Sequence, residues 1–388
     1  MQYLHSYLSS AKKILEIYKG EIPFNLFIKN YFSSEKKFGS RDRKLITSLC
    51  FNYFRIANSF AKNEIEKGLI TGIYLFTNIP NEVINNYNKE WNDTINLPIV
   101  QKVALAGIST NNLFPYNHEL SSEIDSDKFN CSMLQQPDLF IRIRPGKDCL
   151  VKQKLKDSNI KYKEVSDNCL ALTNGTKLND ILDINKDAVI QDLNSQNAGN
   201  LFRFIQLPAK PKIWDCCAAS GGKSIMASDY FPDNLLTTSD IRTSIIQNLK
   251  ARLNEAGVKH YNTFVADLTN LNELSAHIGG QKFDLIICDA PCSGSGTWSR
   301  TPEQLLYFNE LEISKYNKIQ KKIVQNTLIH LKQGGYLLYI TCSVFKKENE
   351  EITSFILENS NLRLMNQQLL PGYNDKADSM YAALFASH

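Results

Sequence analysis

The chain has 388 residues, 43% of them hydrophobic and 22% charged, and carries a net charge of +4. That length suggests two or three domains at about 100–200 residues each, and that balance excludes wholesale disorder. The mild positive charge permits a nucleic-acid partner without arguing for one.

No stretch approaches the roughly 18 apolar residues a membrane span needs, and the N-terminal stretch lacks the order of a signal peptide, so a cytoplasmic protein that avoids membranes is expected. The nine cysteines are odd in number and form no Cys-x-x-Cys pair, and none of the six histidines stands at metal-ligand spacing to a cysteine. The spacing therefore predicts neither a disulfide scaffold nor a zinc site. We expect a monomer without metal, whose cysteines are mostly small core residues.

Residues 1–130 read as an all-α domain. Leu4, Tyr7, Leu8 and Ala11 recur at helical spacing, as do Ile14, Leu15 and Tyr18, and further runs follow at 26–32, 43–54 and 99–106. Ser40 is placed to cap a helix that has Asp42 in its first turn. Arg41 and Arg43 on it are solvated or touch RNA phosphate. Residues 131–195 read as a small α/β module. The run 139–144 ends in the alternation of a half-buried strand, which would project Arg142 and Arg144 from one face. There they meet phosphate or merely solvent. A helix at 150–157 and a strand at 169–172 follow.

Residues 196–388 alternate strands and helices. Strands are expected at 212–217, 235–239, 263–267, 283–289 and 336–342, with helices at 244–256 and, as one long element, 302–331. The alternation predicts a parallel sheet covered on both faces. Runs at 362–370 and 380–385 would close it as an antiparallel pair.

Four constellations carry chemistry. Asp215-Cys216-Cys217-Ala218-Ala219-Ser220-Gly221-Gly222-Lys223-Ser224 follows a strand and opens a helix, so its glycines and free N–H groups suit a nucleotide-like ligand. A P-loop is rejected because Cys217 occupies the position of its first Gly. Asp240 lies eighteen positions after Gly222 and suits a ribose diol. With Asp267 and Asp289 it makes three acidic residues at successive strand ends, although each alone reads as a turn or cap residue. Finally, Asp289-Ala290-Pro291-Cys292-Ser293-Gly294-Ser295-Gly296-Thr297 and Thr341-Cys342-Ser343 each put a Cys just past a buried strand. A zinc deaminase is rejected: Ser295 stands where its second Cys belongs, and no His-x-Glu exists.

Taken in this order, Asp-x-Cys-Ala-Ala-x-Gly-Gly-Lys, Asp-Ala-Pro-Cys-Ser-Gly-x-Gly and Thr-Cys-Ser resemble the Nol/Nop/Sun family of RNA 5-methylcytosine methyltransferases. Val189–Gln196 resembles the segment leading into that family's catalytic domain, Arg300-Thr301-Pro302-Glu303 its Arg-x-Pro-Glu, and Asp378–Phe385 its closing strand. Residues 38–43 with Phe54-Arg55 are similar to the NusB-like helical domain of the bacterial Sun/Fmu subgroup, which modifies small-subunit ribosomal RNA. Ser220 departs from the usual Pro, Trp298-Ser299 from Leu-Arg, and Asp378-Ser379-Met380-Tyr381 from Asp-Gly-Phe-Phe.

The resemblance implies a Rossmann-like class I methyltransferase domain at 196–388, a parallel sheet with an antiparallel final strand. It would be preceded by the small α/β RNA-binding module at 131–195 and the all-α, NusB-like RNA-binding domain at 1–130. It implies S-adenosyl-L-methionine as cofactor, held by Cys217, Ala218, Ala219, Ser220, Gly221, Gly222, Lys223, Asp240, Arg242, Asp267, Asp289 and Pro291. It implies Cys342 as a nucleophile toward C6 of cytosine, with Lys223 lending positive charge to its thiolate. Asp289 would sit at the N3 edge, and Cys292 would help remove the C5 proton. RNA, above all rRNA, is the implied partner, with Arg41, Arg43, Arg142, Arg144 and Arg300 as candidate contacts. Rival readings are a tRNA or DNA cytosine methyltransferase and a non-catalytic ribosome-assembly factor.

Overall fold

The computed structural model describes residues 4–388, which divide into two units. The first comprises 4–118, Asp125–Gln136 and Trp298–Asn309; the second comprises Glu119–Ile124, Pro137–Thr297 and Glu310–His388.

The first unit is helical. Its main helices span Leu4–Ile17, Phe24–Ser34, Ser40–Phe54 and Ile65–Phe76. Their apolar faces meet in an aromatic cluster of Tyr18, Phe24 and Phe54, joined by Tyr307 from the returning segment with its ring 5.3 Å from that of Tyr18. The buried Arg55 joins the three segments: its guanidinium donates to the carbonyls of Met133, Gln135 and Ser299 at 2.8, 3.0 and 2.9 Å. Ser40 is not the cap expected. Gly39 precedes the first turn, and the Asp42 carboxylate accepts the Gly39 N–H at 3.0 Å. The acidic half of a capping box is thus enough at this end.

The second unit holds two sheets. β1 (Leu139–Ile143), β2 (Tyr162–Ser166), β3 (Cys169–Leu172) and β4 (Ala188–Ile190) form an antiparallel sheet in the order β2-β3-β1-β4. On one face Ile141 and Ile143 pack with Val151 and Leu155 of the helix Asp148–Asp157. On the other, Phe140 packs with Leu193 and Ala377. β1 is therefore buried on both faces, not half-buried as its alternation suggested.

The larger sheet contains β5 (Lys212–Asp215), β6 (Leu235–Asp240), β7 (Tyr261–Val265), β8 (Phe283–Asp289), β9 (Leu331–Thr341), β10 (Leu362–Leu370) and β11 (Met380–Ser387), in the order β10-β11-β9-β8-β5-β6-β7. The five strands from β5 to β9 pair in parallel, and β11 pairs antiparallel with both β9 and β10. The expected Rossmann-like sheet, with its antiparallel closing strand, is thus present. Apolar layers cover both faces, which is why these strands read as near-continuous apolar runs. The strand order reverses between β5 and β8, the point at which the crossovers of a doubly wound sheet leave to opposite sides.

The helix expected over 302–331 is two, Pro302–Tyr307 and Leu311–Leu328. Phe308 between them is extended, its ring centroid 4.7 Å from that of Trp298 and its carbonyl accepting from the Tyr116 hydroxyl at 2.9 Å. Tertiary packing of that aromatic outweighs the helical periodicity across it.

Candidate active site

The loop after β5 opens the helix Gly222–Tyr230. Gly221 has φ +84°, and a Cβ there would stand 2.3 Å from a Leu249 methyl, so only glycine fits. Ala219 sits in the left-handed region at φ +45°, a conformation that costs a non-glycine residue free energy and recurs at ligand clamps. Its N–H donates to Asp240 Oδ2 at 3.1 Å, so the carboxylate ending β6 holds the loop in that shape. Ser220, which replaces the usual Pro, accepts the Arg252 guanidinium at both its carbonyl and its hydroxyl, 2.7 and 2.6 Å away. Hydrogen bonds here do the work of a rigid ring.

Asp240 also accepts Arg242, at 2.9 Å through Nε and 3.1 Å through Nη2. Burial alone would raise the Asp240 pKa, but these bonds hold it below the usual carboxylate value. The Arg242 side chain is itself 57% exposed. Asp267 serves a turn, its Oδ1 accepting the N–H and hydroxyl of Thr269 at 2.9 and 2.7 Å.

β8 and β9 run side by side, with Asp289 opposite Ile340. Their following loops therefore emerge together. Gly296 N–H donates to the Cys342 carbonyl at 3.0 Å, and Ser379 N–H donates to the Gly296 carbonyl at 2.9 Å. A Cβ on Gly296 would lie 1.9 Å from the Ser379 carbonyl oxygen, so this close approach also requires glycine. The result brings Cys292 Sγ to 3.2 Å from Cys342 Sγ. The contact with Cys342, and then burial, push the Cys292 thiol well above its ordinary pKa. Both residues are half-buried.

Lys223 Nζ lies 2.7 Å from Asp289 Oδ2 and 3.2 Å from the Ser195 hydroxyl. Burial opposes the ammonium charge, yet Asp289, with a smaller contribution from Cys342, raises the Lys223 pKa above its usual value. A buried lysine thus stays charged within reach of both a carboxylate and a thiol.

Two groups that sequence reasoning gave no role organise the site. The buried Glu348 carboxylate accepts the Ser293 N–H, the Gln320 amide and the Ser343 hydroxyl at 2.9, 3.0 and 3.0 Å, tying both cysteine loops together. Burial raises its pKa despite these bonds. Asp215, at the start of the first loop, is fully buried and titrates at about 7, because burial disfavours its charge. Glu348 stands in none of the sequence motifs, although Asp215 opens the stretch Asp215–Ser224. Ser195 did stand in a motif, in the stretch Val189–Gln196.

The strand arginines do not stand free. Arg142 and Arg144 converge on Asp229, with N···O distances of 2.7 and 2.6 Å, and Arg142 also donates to Gln191 at 2.9 Å. In the first unit Arg41 is exposed, Arg43 donates to the Phe38 carbonyl at 2.8 Å, and Arg300 is half-buried. The structure gathers Cys292, Cys342, Asp289 and Lys223 into one site, with Asp240 bonded to the neighbouring glycine loop and Arg242 bonded to Asp240.

Residues 204–385 match the family described as 16S rRNA methyltransferase RsmB/F. Over that stretch the chain is similar to the RsmB/F family. The resemblance to Nol/Nop/Sun methyltransferases read from the motifs accordingly holds over the same residues. The chain is 30% identical over 205 residues to ribosomal RNA small subunit methyltransferase B of Photorhabdus laumondii, a match covering 50% of this chain and 46% of that one. It thus spans about half the length of the curated relatives it matches.

In fold the chain is similar to PH0851, with a TM-score of 0.70 at 16% identity over 92% of this chain and 93% of that one. It is also similar to NSun6 from Pyrococcus horikoshii solved with SFG, with a TM-score of 0.59 at 14% identity over 70% and 97%. S-adenosyl-L-methionine is the cofactor of this methyltransferase class, and the residues present fit it. The loop after β5 leaves no side chain at Gly221 or Gly222, and Asp240 stands at the end of the adjacent strand. Among the described residues no helix is long and apolar enough to cross a membrane.

Proposed function

We propose that the chain is an S-adenosylmethionine-dependent RNA (cytosine-5) methyltransferase acting on small-subunit ribosomal RNA, through a covalent bond from Cys342 to the base. The observation that carries this reading is the pair of sulfurs 3.2 Å apart beside the Lys223–Asp289 ion pair. The name of the Photorhabdus relative supports the choice of RNA.

C5 of cytosine is a weak nucleophile. The Cys342 thiolate attacks C6, the C5–C6 π pair moves to C5, and the ring becomes an enamine. This splits one hard step into easier ones. The Lys223 ammonium, within electrostatic reach of Cys342, favours the thiolate, and contact with Cys342 makes the Cys292 thiol hard to ionise. Asp289, oriented by Lys223, takes the N3 edge of the base. S-adenosylmethionine supplies the electrophilic methyl that C5 attacks. Once Cys342 is bonded to carbon, Cys292 releases its thiol proton to solvent, its thiolate takes the proton from C5, the C5–H electron pair re-forms the C5–C6 double bond, and the C6–S bond breaks to return Cys342 as a thiolate. Glu348 keeps the two loops in register throughout. The base reaches this site unpaired or flipped from its stack, and neighbouring nucleotides are held through phosphate and shape.

The test is a pair of variants incubated with rRNA and labelled cofactor. Cys342→Ala loses turnover without adduct, whereas Cys292→Ala accumulates a protein–RNA adduct that survives a denaturing gel. Turnover by Cys342→Ala, with no adduct from Cys292→Ala, refutes the assignment of roles.

A further inference from the structure

Cys216 and Cys217 follow β5, and Cys288 is the penultimate residue of β8. These strands pair in parallel, and Cys216 N–H donates to the Ile287 carbonyl at 2.9 Å, which sets Cys216 level with Cys288. The three sulfurs lie within 4.8 Å of one another. Cys216 and Cys288 are fully buried and Cys217 partly so. They belong to the apolar layer on one face of the sheet, whereas Cys342 packs against the layer on the other. This cluster is therefore separate from the pair of sulfurs described above. Sequence spacing could not reveal it, because the fold and not a Cys-x-x-Cys motif brings Cys288 to the other two.

We propose that Cys216, Cys217 and Cys288 form a three-thiolate site for zinc(II), with the fourth position open toward the half-buried side of Cys217. Zinc–sulfur bonds of about 2.3 Å place tetrahedral ligands about 3.8 Å apart, so shifts of about 1 Å or less close the cluster on the ion. Soft thiolates select zinc or copper(I). Three buried thiolates around a monovalent ion would keep two negative charges, but around a divalent ion only one. A thiol must lose its proton to bind the ion, so uptake weakens in acid.

The reduced full-length protein is titrated with zinc against a chromophoric chelator, and cobalt(II) is used as a spectroscopic probe. The expected result is one zinc per chain with a sulfur-to-cobalt charge-transfer band, kept by the double variant Cys292→Ala/Cys342→Ala and lost by Cys216→Ala/Cys288→Ala. In the wild type, zinc should also protect Cys216, Cys217 and Cys288 from alkylation as mapped by mass spectrometry, which decides the matter if the second variant does not fold. Absence of uptake, uptake that survives Cys216→Ala/Cys288→Ala, or alkylation of the three thiols at the same rate with and without zinc overturns the proposal.

Discussion

Asp215 sits in an environment far from what its chemistry prefers. Its carboxyl is fully buried, Oδ2 accepts the Ser224 hydroxyl at 2.6 Å, and Oδ1 has no hydrogen-bond partner. Burial raises its pKa from the ordinary 3.8 to about 7, the Ser224 bond opposing and the nearby Asp289 reinforcing the shift. The folded state therefore binds this proton more tightly than the unfolded chain. It follows that the group weakens stability progressively as pH rises from about 4, and that the penalty is complete above about 7. About three pH units at 1.36 kcal/mol each make that penalty about 4 kcal/mol, as an upper figure.

Asp215→Asn removes the titration but puts an amide nitrogen where Oδ1 was, at a cost of about 1–3 kcal/mol for an unsatisfied donor. Relative to the wild type, the variant should gain about 3 kcal/mol between pH 4.5 and pH 8, ending the more stable of the two at the alkaline end. Urea unfolding of both proteins at each pH measures this. Other titrating groups are shared and cancel in the difference, and an unchanged m-value confirms that the same surface is exposed. If the difference between variant and wild type stays flat within about 0.5 kcal/mol over that range, the buried carboxyl does not titrate near neutrality and the reasoning fails.

Four further outcomes are expected. Lys223→Met, which leaves Asp289 and Cys342 without their cation, should lower methyl transfer by about 10²-fold or more in kcat while circular dichroism stays that of the wild type. Asp229→Ala strands two guanidiniums whose side chains are 5% and 16% exposed and should cost about 3–5 kcal/mol in urea unfolding. Arg142→Gln should in turn leave the salt dependence of RNA binding unchanged, because that arginine neutralises Asp229 and not a phosphate. Gly296→Ala forces a methyl against the Ser379 carbonyl and should abolish turnover by parting Cys292 from Cys342, read as loss of activity with overall helicity retained.

What was legible in the sequence is what is local. Strand ends, glycine loops and the cysteines following β8 and β9 are set by short-range periodicity and turn chemistry, and the expected strands at 283–289, 362–370 and 169–172 coincide with those observed. The illegible features depend on what packs against a segment. Arginine on a strand reads as solvent-facing, yet Arg142 is buried because Asp229, eighty-seven positions away, supplies its counter-charge. A helical rhythm continued through Phe308, yet the chain breaks there because Trp298 takes the ring. β2, with four of its five residues exposed, offered no apolar alternation to read and exists by pairing with β3.

The same distinction separates the two groups of cysteines. Cys292 and Cys342 announce themselves because each sits in a turn of small residues whose geometry only such residues permit, and Gly296 makes that requirement explicit. Cys216 and Cys288 sit inside or beside strands, where a cysteine is indistinguishable from any small apolar residue until the register is known. Register is a property of the paired sheet, and a shift of one residue in β8 relative to β5 would turn Cys288 to the opposite face. The thiol cluster is thus fixed by the parallel pairing of Asp215 with Ile287, the same pairing that aligns the cofactor loop with the loop bearing Cys292. Any substitution that slips this register should disperse both sites together, whereas substitutions within either loop should disturb only one.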